Sequence, residues 1–467
     1  MNSKLRTAII FIFIFSLVRF GYADDGNIPS QNSASNKTAK TENTPVAFIS
    51  PSSYDTGSRA MLNEDVRYLE PEASGMDMLV KMAREKRVRL SIDISQAYDS
   101  NIYLTKDNVQ DDFITHITPG IYGYIGSGDQ MLMGFYEADI LIYGKHQKLN
   151  TINQTLGARG YAPGVNYDSN DVNQTIGISG AIPVVSFDTG KTSVSFKDTL
   201  RPTTVPPSSE MAPFVKRVGN DFGFTVKHDI SRKTSLGFTY DQVLEYYITD
   251  AYKGNNYIQH VFSPTFYYHI SPKTSITGEY NLGVTNYMGG DNYNSLYNQA
   301  RLGIEGRLTP KSTIALKAGF QQRSYSSSGI KDAYAFVMTG IYDYKISPKT
   351  TLELIGSSNI IESVYEGDPY YKSLSFYANL RHHILYNLDL SLAGFYLNNS
   401  YPNRTFTETQ GYVRRVDNLY GFSSKLTYRF RYWCSAYASY DFKTRDSNTR
   451  ELTYVDNIVS CGISLSF

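Results

Sequence analysis

The chain has 467 residues, 45 of them basic and 44 acidic, for a formal charge of +1. That near-cancellation gives no electrostatic reason to expect a nucleic-acid partner. A mean hydropathy of −0.34 would suit a water-soluble protein, but a strand alternating lipid-facing apolar with inward polar residues averages as low, so a membrane-spanning sheet is not excluded. The 40 Tyr, against 1 Trp and 2 Cys, suit strands and also the membrane–water interface, where the ring sits in the apolar layer and the hydroxyl in the wet one.

At the N-terminus, Lys4 and Arg6 precede an apolar run over 8–18, and Gly21-Tyr22-Ala23 supplies small residues at cleavage-site spacing. This reads as a secretory signal peptide over 1–23, cut after Ala23; its apolar run is too short to span a bilayer. Residues 24–58 are rich in Ser, Asn, Thr and Lys and bury too little apolar surface to fold. Met76, Met78, Leu79 and Met82 recur at roughly helical spacing, so 24–86 is expected to be a disordered periplasmic leader with a short helix, a lumen plug or a spacer. The barrel is placed over 87–467, with its first strand near 88–95.

From Val88 onward the period becomes two. Leu302, Ile304 and Leu308 alternate with Arg301, Glu305 and Arg307; Ile314, Leu316, Ala318 and Phe320 alternate with Thr313, Lys317 and Gln321. Such alternation gives each strand one apolar and one polar face. The stretch 145–215 is the least regular. There Asn150-Thr151-Ile152-Asn153-Gln154-Thr155 is echoed by Asn170-Asp171-Val172-Asn173-Gln174-Thr175, and one or both copies could be strands.

Further on, Ser271-Pro272-Lys273-Thr274 returns as Thr309-Pro310-Lys311-Ser312 and as Ser347-Pro348-Lys349-Thr350, with prolines 38 residues apart both times; Ser231-Arg232-Lys233-Thr234 is a degenerate copy. These are tight turns, Pro fixing φ and Ser or Thr bonding local backbone. Polar stretches at 288–295, 324–332 and 398–412 are expected to be the longer loops at the opposite end. Short turns at one end and long loops at the other describe an all-β, transmembrane, antiparallel up-and-down β-barrel of a Gram-negative outer membrane. Its expected strand count is about 18, with 16 as the alternative. Counting back by twos from Phe467 gives Leu465, Ile463, Cys461 and Val459. A closing strand with a terminal aromatic resembles the signal read by the outer-membrane insertion machinery, which with outer-membrane lipid is an expected partner.

The same alternation assigns the lumen. Basic candidates are Arg301, Arg307, Lys317, Arg381, Lys425 and Arg429; acidic ones are Glu279, Glu305 and Glu353. They form either a mixed, hydrated interior or a basic ladder for an anionic polymer, and the interspersed carboxylates weigh against strong anion preference. Tyr267, Tyr377, Phe395, Trp433 and Tyr437 are aromatic lumen candidates, as a track for sugar rings or as buttresses. Cys434 and Cys461 count to the lipid face and nearly opposite each other; a cross-strand disulfide and two free thiols are the two readings. His382 and His383 are adjacent and so point to opposite faces. No nucleophile elbow or metal-spaced His cluster is present, so neither an enzyme, a metal nor a cofactor is expected.

Ser95-Gln96-Ala97-Tyr98-Asp99-Ser100-Asn101-Ile102, then Asp111-Asp112-Phe113-Ile114 and Thr118-Pro119-Gly120-Ile121, resemble the opening of a porin-like outer-membrane barrel family whose members often accompany exopolysaccharide synthesis and export genes. A Pro-containing strand recurs at Ser263-Pro264-Thr265-Phe266. The resemblance covers roughly 88–467 and implies a hydrated passage for export or surface assembly of exopolysaccharide, with a periplasmic export partner for which 24–86 could be a docking segment. A general or substrate-selective porin for small solutes is the alternative, and would need an inward constriction loop, best placed at 145–172. A surface-anchoring barrel with a blocked lumen is the third reading. Monomer and trimer are both compatible with the sequence.

Overall fold

The computed structural model describes residues 88–467, apart from 128–129, 163–191, 206, 212–213, 290–292, 328, 365–367 and 408–410. The signal peptide, the leader 24–86 and the second Asn-Gln-Thr copy lie outside the described residues. Eighteen strands run through the rest. The first six are β1 (Val88–Asp99), β2 (Asp112–Ser127), β3 (Gln130–Tyr143), β4 (Thr151–Ala162), β5 (Thr192–Thr203) and β6 (Arg217–Asp229). There follow β7 (Thr234–Tyr247), β8 (Tyr257–Ser271), β9 (Thr274–Tyr287), β10 (Ser295–Thr309), β11 (Ser312–Tyr325) and β12 (Ala333–Ser347). The last are β13 (Thr350–Glu362), β14 (Tyr370–Leu385), β15 (Leu388–Thr407), β16 (Gly411–Arg431), β17 (Cys434–Ser447) and β18 (Tyr454–Ser466).

Each strand pairs antiparallel with its sequence neighbours, and β1 pairs with β18 from Ser91–Ser466 to Asp99–Ile458. That seam closes the ring and leaves no open edge, the condition for a sheet to cross hydrocarbon. The strand count matches the expected eighteen.

Burial along the strands is inverted relative to a water-soluble protein. On β9, Thr277, Glu279 and Asn281 are buried while Ile276 and Tyr280 are exposed. Leu302 and Phe320 on the outer wall are 73% and 72% exposed, whereas inward Thr339 and Ser357 are 0% exposed. Apolar side chains exposed on strand after strand are tolerated only against lipid, so the outer face is the membrane face.

The repeated tetrapeptides are two-residue turns: Ser271 pairs with Thr274, Thr309 with Ser312 and Ser347 with Thr350. In each, the leading hydroxyl accepts the N–H of the turn lysine, at 3.2 Å for Lys273, Lys311 and Lys349 and 3.1 Å for Lys233. A register shift precedes each two-residue copy, and an amide there donates to the lysine carbonyl of the preceding turn. These bonds are His269 to Lys233, Arg307 to Lys273 and Lys345 to Lys311, at 2.7–2.8 Å. The 38-residue repeat is therefore a hydrogen-bonded girdle around the periplasmic rim.

Two expectations are corrected and one open choice is decided. Residues 398–412 are not a long loop; β15 and β16, at 20 and 21 residues, continue through most of it. Cys434 pairs opposite Leu465 and Cys461 opposite Ala438, four residues out of register, so both cysteines are free. Four residues of strand are about 13 Å, beyond the roughly 7 Å Cα separation a disulfide tolerates. The two positions are not opposite because the β17–β18 connection is longer than a tight turn and includes a 3-10 turn at Arg450–Leu452. Trp433 is in the turn before β17 rather than on a lumen-facing strand, and stacks on Phe467 with ring centroids 6.0 Å apart.

Candidate functional site in the barrel lumen

The sequence points to 145–172 as an inward constriction loop. Residues 163–172 of that stretch lie outside the described residues; in the remainder, Gln147–Leu149 is a single 3-10 turn and β4 follows at once as a wall strand, so 145–162 is not an inward loop. Among the described residues, a connection that enters the lumen lies between β5 and β6, through 208–211 and 214–216. It reaches strands β13 to β17, which lie diametrically across an eighteen-strand ring. There Ser363 Oγ and the Val364 amide donate to the Glu210 carboxylate at 2.9 and 3.1 Å. Asn399 Nδ2 donates to Ser209 Oγ and Arg445 Nη1 to the Ser209 carbonyl, both at 3.1 Å. Burial pushes the Glu210 carboxyl above its ordinary range, with the nearby Arg415 working against that shift.

The receiving wall is built to hold a charge cluster away from water. Asp417 accepts from Arg415 at 2.7 Å, from Ser447 at 2.6 Å and from Arg445, and Asp417 and Arg445 are both fully buried. The Arg415 guanidinium also lies 4.4 Å from the Tyr401 ring centre. Such a cluster is stable only because each member is partnered; an unpaired charge here would be costly.

The crossing loop is pinned at its near end by apolar contacts. Met211 and Val215 pack on Tyr247 of β7, with Val364 alongside. Phe214 adopts φ +64°, a left-handed conformation unfavourable for a bulky residue. Its ring sits edge-on to Tyr103 at 5.8 Å and to Tyr143 at 5.9 Å. Tyr103 belongs to the β1–β2 connection, which also turns inward: Leu104 packs on Tyr454, and Ile102 on Ile114, Leu141 and Tyr143. The signal that could have identified 204–216 is this apolar trio of Met211, Phe214 and Val215, out of place in a loop exposed to water.

The basic and acidic lumen candidates lie on inward positions, but the basic residues do not form an open ladder. Arg301 and Lys317 both contact Glu279, Lys317 at 2.5 Å. Arg429 meets Asp389 at 2.8 Å. Glu353 receives a long 3.5 Å contact from Asn379. Arg307 anchors the girdle near the periplasmic end through its backbone, with Glu305 two residues above it on the same face and Arg381 between Thr351 and Ser391 on neighbouring strands. Cations alternate with carboxylates along the walls, so the field inside is largely balanced.

Tyr267, Tyr377, Phe395 and Tyr437 lie on inward positions. Several inward rings lie flat against the wall because a glycine makes room. A methyl group on Gly237 would come within 2.9 Å of Tyr267, and one on Gly462 within 2.7 Å of Tyr437; Phe395 covers Gly421 and Tyr297 covers Gly283 in the same way. Lys227 sits 4.1 Å over Tyr267 and Lys425 4.1 Å over Tyr437, at cation–π distance. Tyr377 and Phe395 join Ile341, Ile355 and Ala393 in a small apolar patch. These rings lie along the wall, over the glycines of neighbouring strands. No cluster of His, Cys, Asp or Glu suited to a metal ion is found among the described residues.

Residues 88–467 match the model of the family described as Putative beta-barrel porin 2. No curated protein matches the chain. Similar solved structures include the outer membrane protein OpdK from Pseudomonas aeruginosa, with a TM-score of 0.42 and 9% identity over 81% of this chain and 99% of that one. A BenF-like porin from Pseudomonas fluorescens Pf-5 has a TM-score of 0.40 and 10% identity over 82% and 99%. Acinetobacter baumannii OccAB4 has a TM-score of 0.40 and 11% identity over 82% and 99%. At those scores the likeness says nothing about what passes through. The family match spans the whole closed ring, and with it the chain belongs to this family of β-barrel porins of the outer membrane.

Proposed function

We propose that this barrel is a selective porin for small polar solutes, with the 204–216 connection as its constriction. The observation that carries this reading is the docking of Ser209 and Glu210 on the wall opposite their own strands. A loop fixed across the lumen narrows the passage on its extracellular side, which suits a small-solute channel and poorly suits a wide conduit for exopolysaccharide. Balanced wall charges favour neutral or zwitterionic solutes over strongly anionic ones.

The test is solute entry into proteoliposomes containing the full chain, using sugars of increasing size, beside single-channel conductance in a planar bilayer. Mono- and disaccharides should enter while long dextrans stay out, with a small, steady conductance. Free entry of dextrans would restore the polymer passage. No conductance at all would support the surface-anchoring barrel with a blocked lumen.

A further inference from the structure

We propose that the four lysine-bearing turns between β6 and β13 form a binding arc for anionic phospholipids of the inner leaflet, each turn holding one headgroup. The last lipid-facing side chain before each turn is a large apolar residue: Ile230, Ile270, Leu308 and Ile346, 43–52% exposed on the outer wall. Three residues later comes an exposed lysine: Lys233, Lys273, Lys311 and Lys349. This juxtaposition sets an ammonium directly below an apolar foothold at the edge of the hydrocarbon. Lysines and apolar residues in that relation snorkel to phosphate level.

The geometry is fixed by backbone, not left to loop motion. Each lysine N–H is held by the turn hydroxyl, and each lysine carbonyl by an amide of the next hairpin, as in His383 to Lys349 at 2.8 Å. The four hairpins are consecutive around the ring, so their lysines line one continuous arc. Strand spacing separates neighbouring hairpin turns by about 10 Å, far enough for each ammonium to address its own headgroup. Lys233, Lys311 and Lys349 make no ion pair with a carboxylate among the described residues, and Arg232 adds a further exposed cation. Two other two-residue turns among the described residues differ in kind. They carry Tyr386-Asn387 and Tyr432-Trp433, with Tyr386 fully exposed, so cationic tips are not a general property of this rim.

A soluble anionic protein or a bare phosphate would need the lysines alone. Only a ligand joining an anion to an acyl chain uses the apolar residue beside each one, and that singles out a phospholipid of the membrane the barrel already spans.

The test places the folded, full-length protein in nanodiscs of equimolar phosphatidylglycerol and phosphatidylcholine, transfers it to mild detergent, and counts retained lipids by native mass spectrometry. The wild type should retain phosphatidylglycerol preferentially. The combined K233Q/K273Q/K311Q/K349Q variant should lose that preference by about fivefold per site, with its heat-shifted gel mobility kept as evidence of folding. The matching four Lys→Arg changes should preserve it. Raising salt from about 50 to about 500 mM should weaken it in the unmodified protein, a readout independent of any variant. Equal retention of both lipids by the wild type, or unchanged preference in the Gln variant, overturns the proposal. So does complete displacement of the lipid by millimolar inorganic phosphate, which would mean a bare-anion site.

Discussion

The extracellular and periplasmic halves of the lumen use the same residue types under different physics. Near the crossing loop, the side chains of Arg217, Glu245, Arg415, Asp417 and Arg445 are at most 6% exposed and are paired. At the periplasmic end His383, Asp389 and Arg429 also form a network, but their side chains are 57%, 30% and 34% exposed. In the first region desolvation makes every partner obligatory; in the second, water replaces whichever partner is lost. An inward charge therefore does not by itself mark a substrate contact. Its burial decides whether it holds the wall together or meets the solution.

The sharpest break in that comparison is Arg445→Ala. It removes one of the two guanidinium partners of Asp417 and the donor to the Ser209 carbonyl, leaving Asn399 on the Ser209 hydroxyl. Because Arg415 remains, the expected loss sits at the lower end of the range for breaking a buried pair, about 3 kcal/mol, seen as unfolding at lower temperature on heat-shift gels. Single-channel conductance should rise several-fold as the loop leaves its dock. Unaltered conductance in a folded variant would mean the loop does not set the constriction.

The fold was legible in the sequence far more than the site was. Alternation at Arg301 to Leu308 gave the inward face because period two needs only local sequence, and the Ser-Pro-Lys-Thr spacing gave the hairpin rhythm. Partners across the lumen were not legible. Nothing local ties Ser209 to Asn399 or Arg445, and the pairing exists only because closure sets β5–β6 opposite β14–β15. The choice between a disulfide and two free thiols was not legible for a smaller reason: a cross-strand register depends on the length of the turn, and here the connection spans 448–453. Trp433 has the parity of an inward residue, but parity loses its meaning where a strand ends in a turn.

A second contrast concerns rings and glycines. Phe395 rests on Gly421, and Tyr297 on Gly283, with no room for a methyl group. Gly421→Ala and Gly283→Ala should each cost about 1–3 kcal/mol through overpacking and swing a ring into the lumen, lowering conductance. If conductance holds while stability falls, the ring has moved along the wall, and the flat packing is structural only.

Acidity separates the dock from the periplasmic network. The folded-state pKa of Glu210 is raised above its ordinary 4.5 by burial, so the docked loop binds a proton more readily than the undocked one. Docking is then strongest below pH 4.5 and weakens as pH rises through the raised value. Conductance should accordingly increase with pH across that window, and Glu210→Gln, which keeps an acceptor without the charge, should flatten the profile. A fall in conductance with rising pH would reverse the sign and reject Glu210 as the responsive group.

The smallest expected effect tests the other half of the comparison. Arg429 and Asp389 meet at 2.8 Å, yet about a third of each side chain is in water, so screening removes most of what the distance suggests. Arg429→Gln should change stability by at most about 0.5 kcal/mol, and less still at high salt. Its value lies in the double variant with Arg445→Ala. The two sites lie at opposite ends of the lumen with no shared partner, so their effects should add within about 0.5 kcal/mol. A larger departure would mean that the two ends of the lumen are mechanically coupled through β16, which carries Arg429 beside Asp389 at one end and Asp417 beneath the crossing loop at the other.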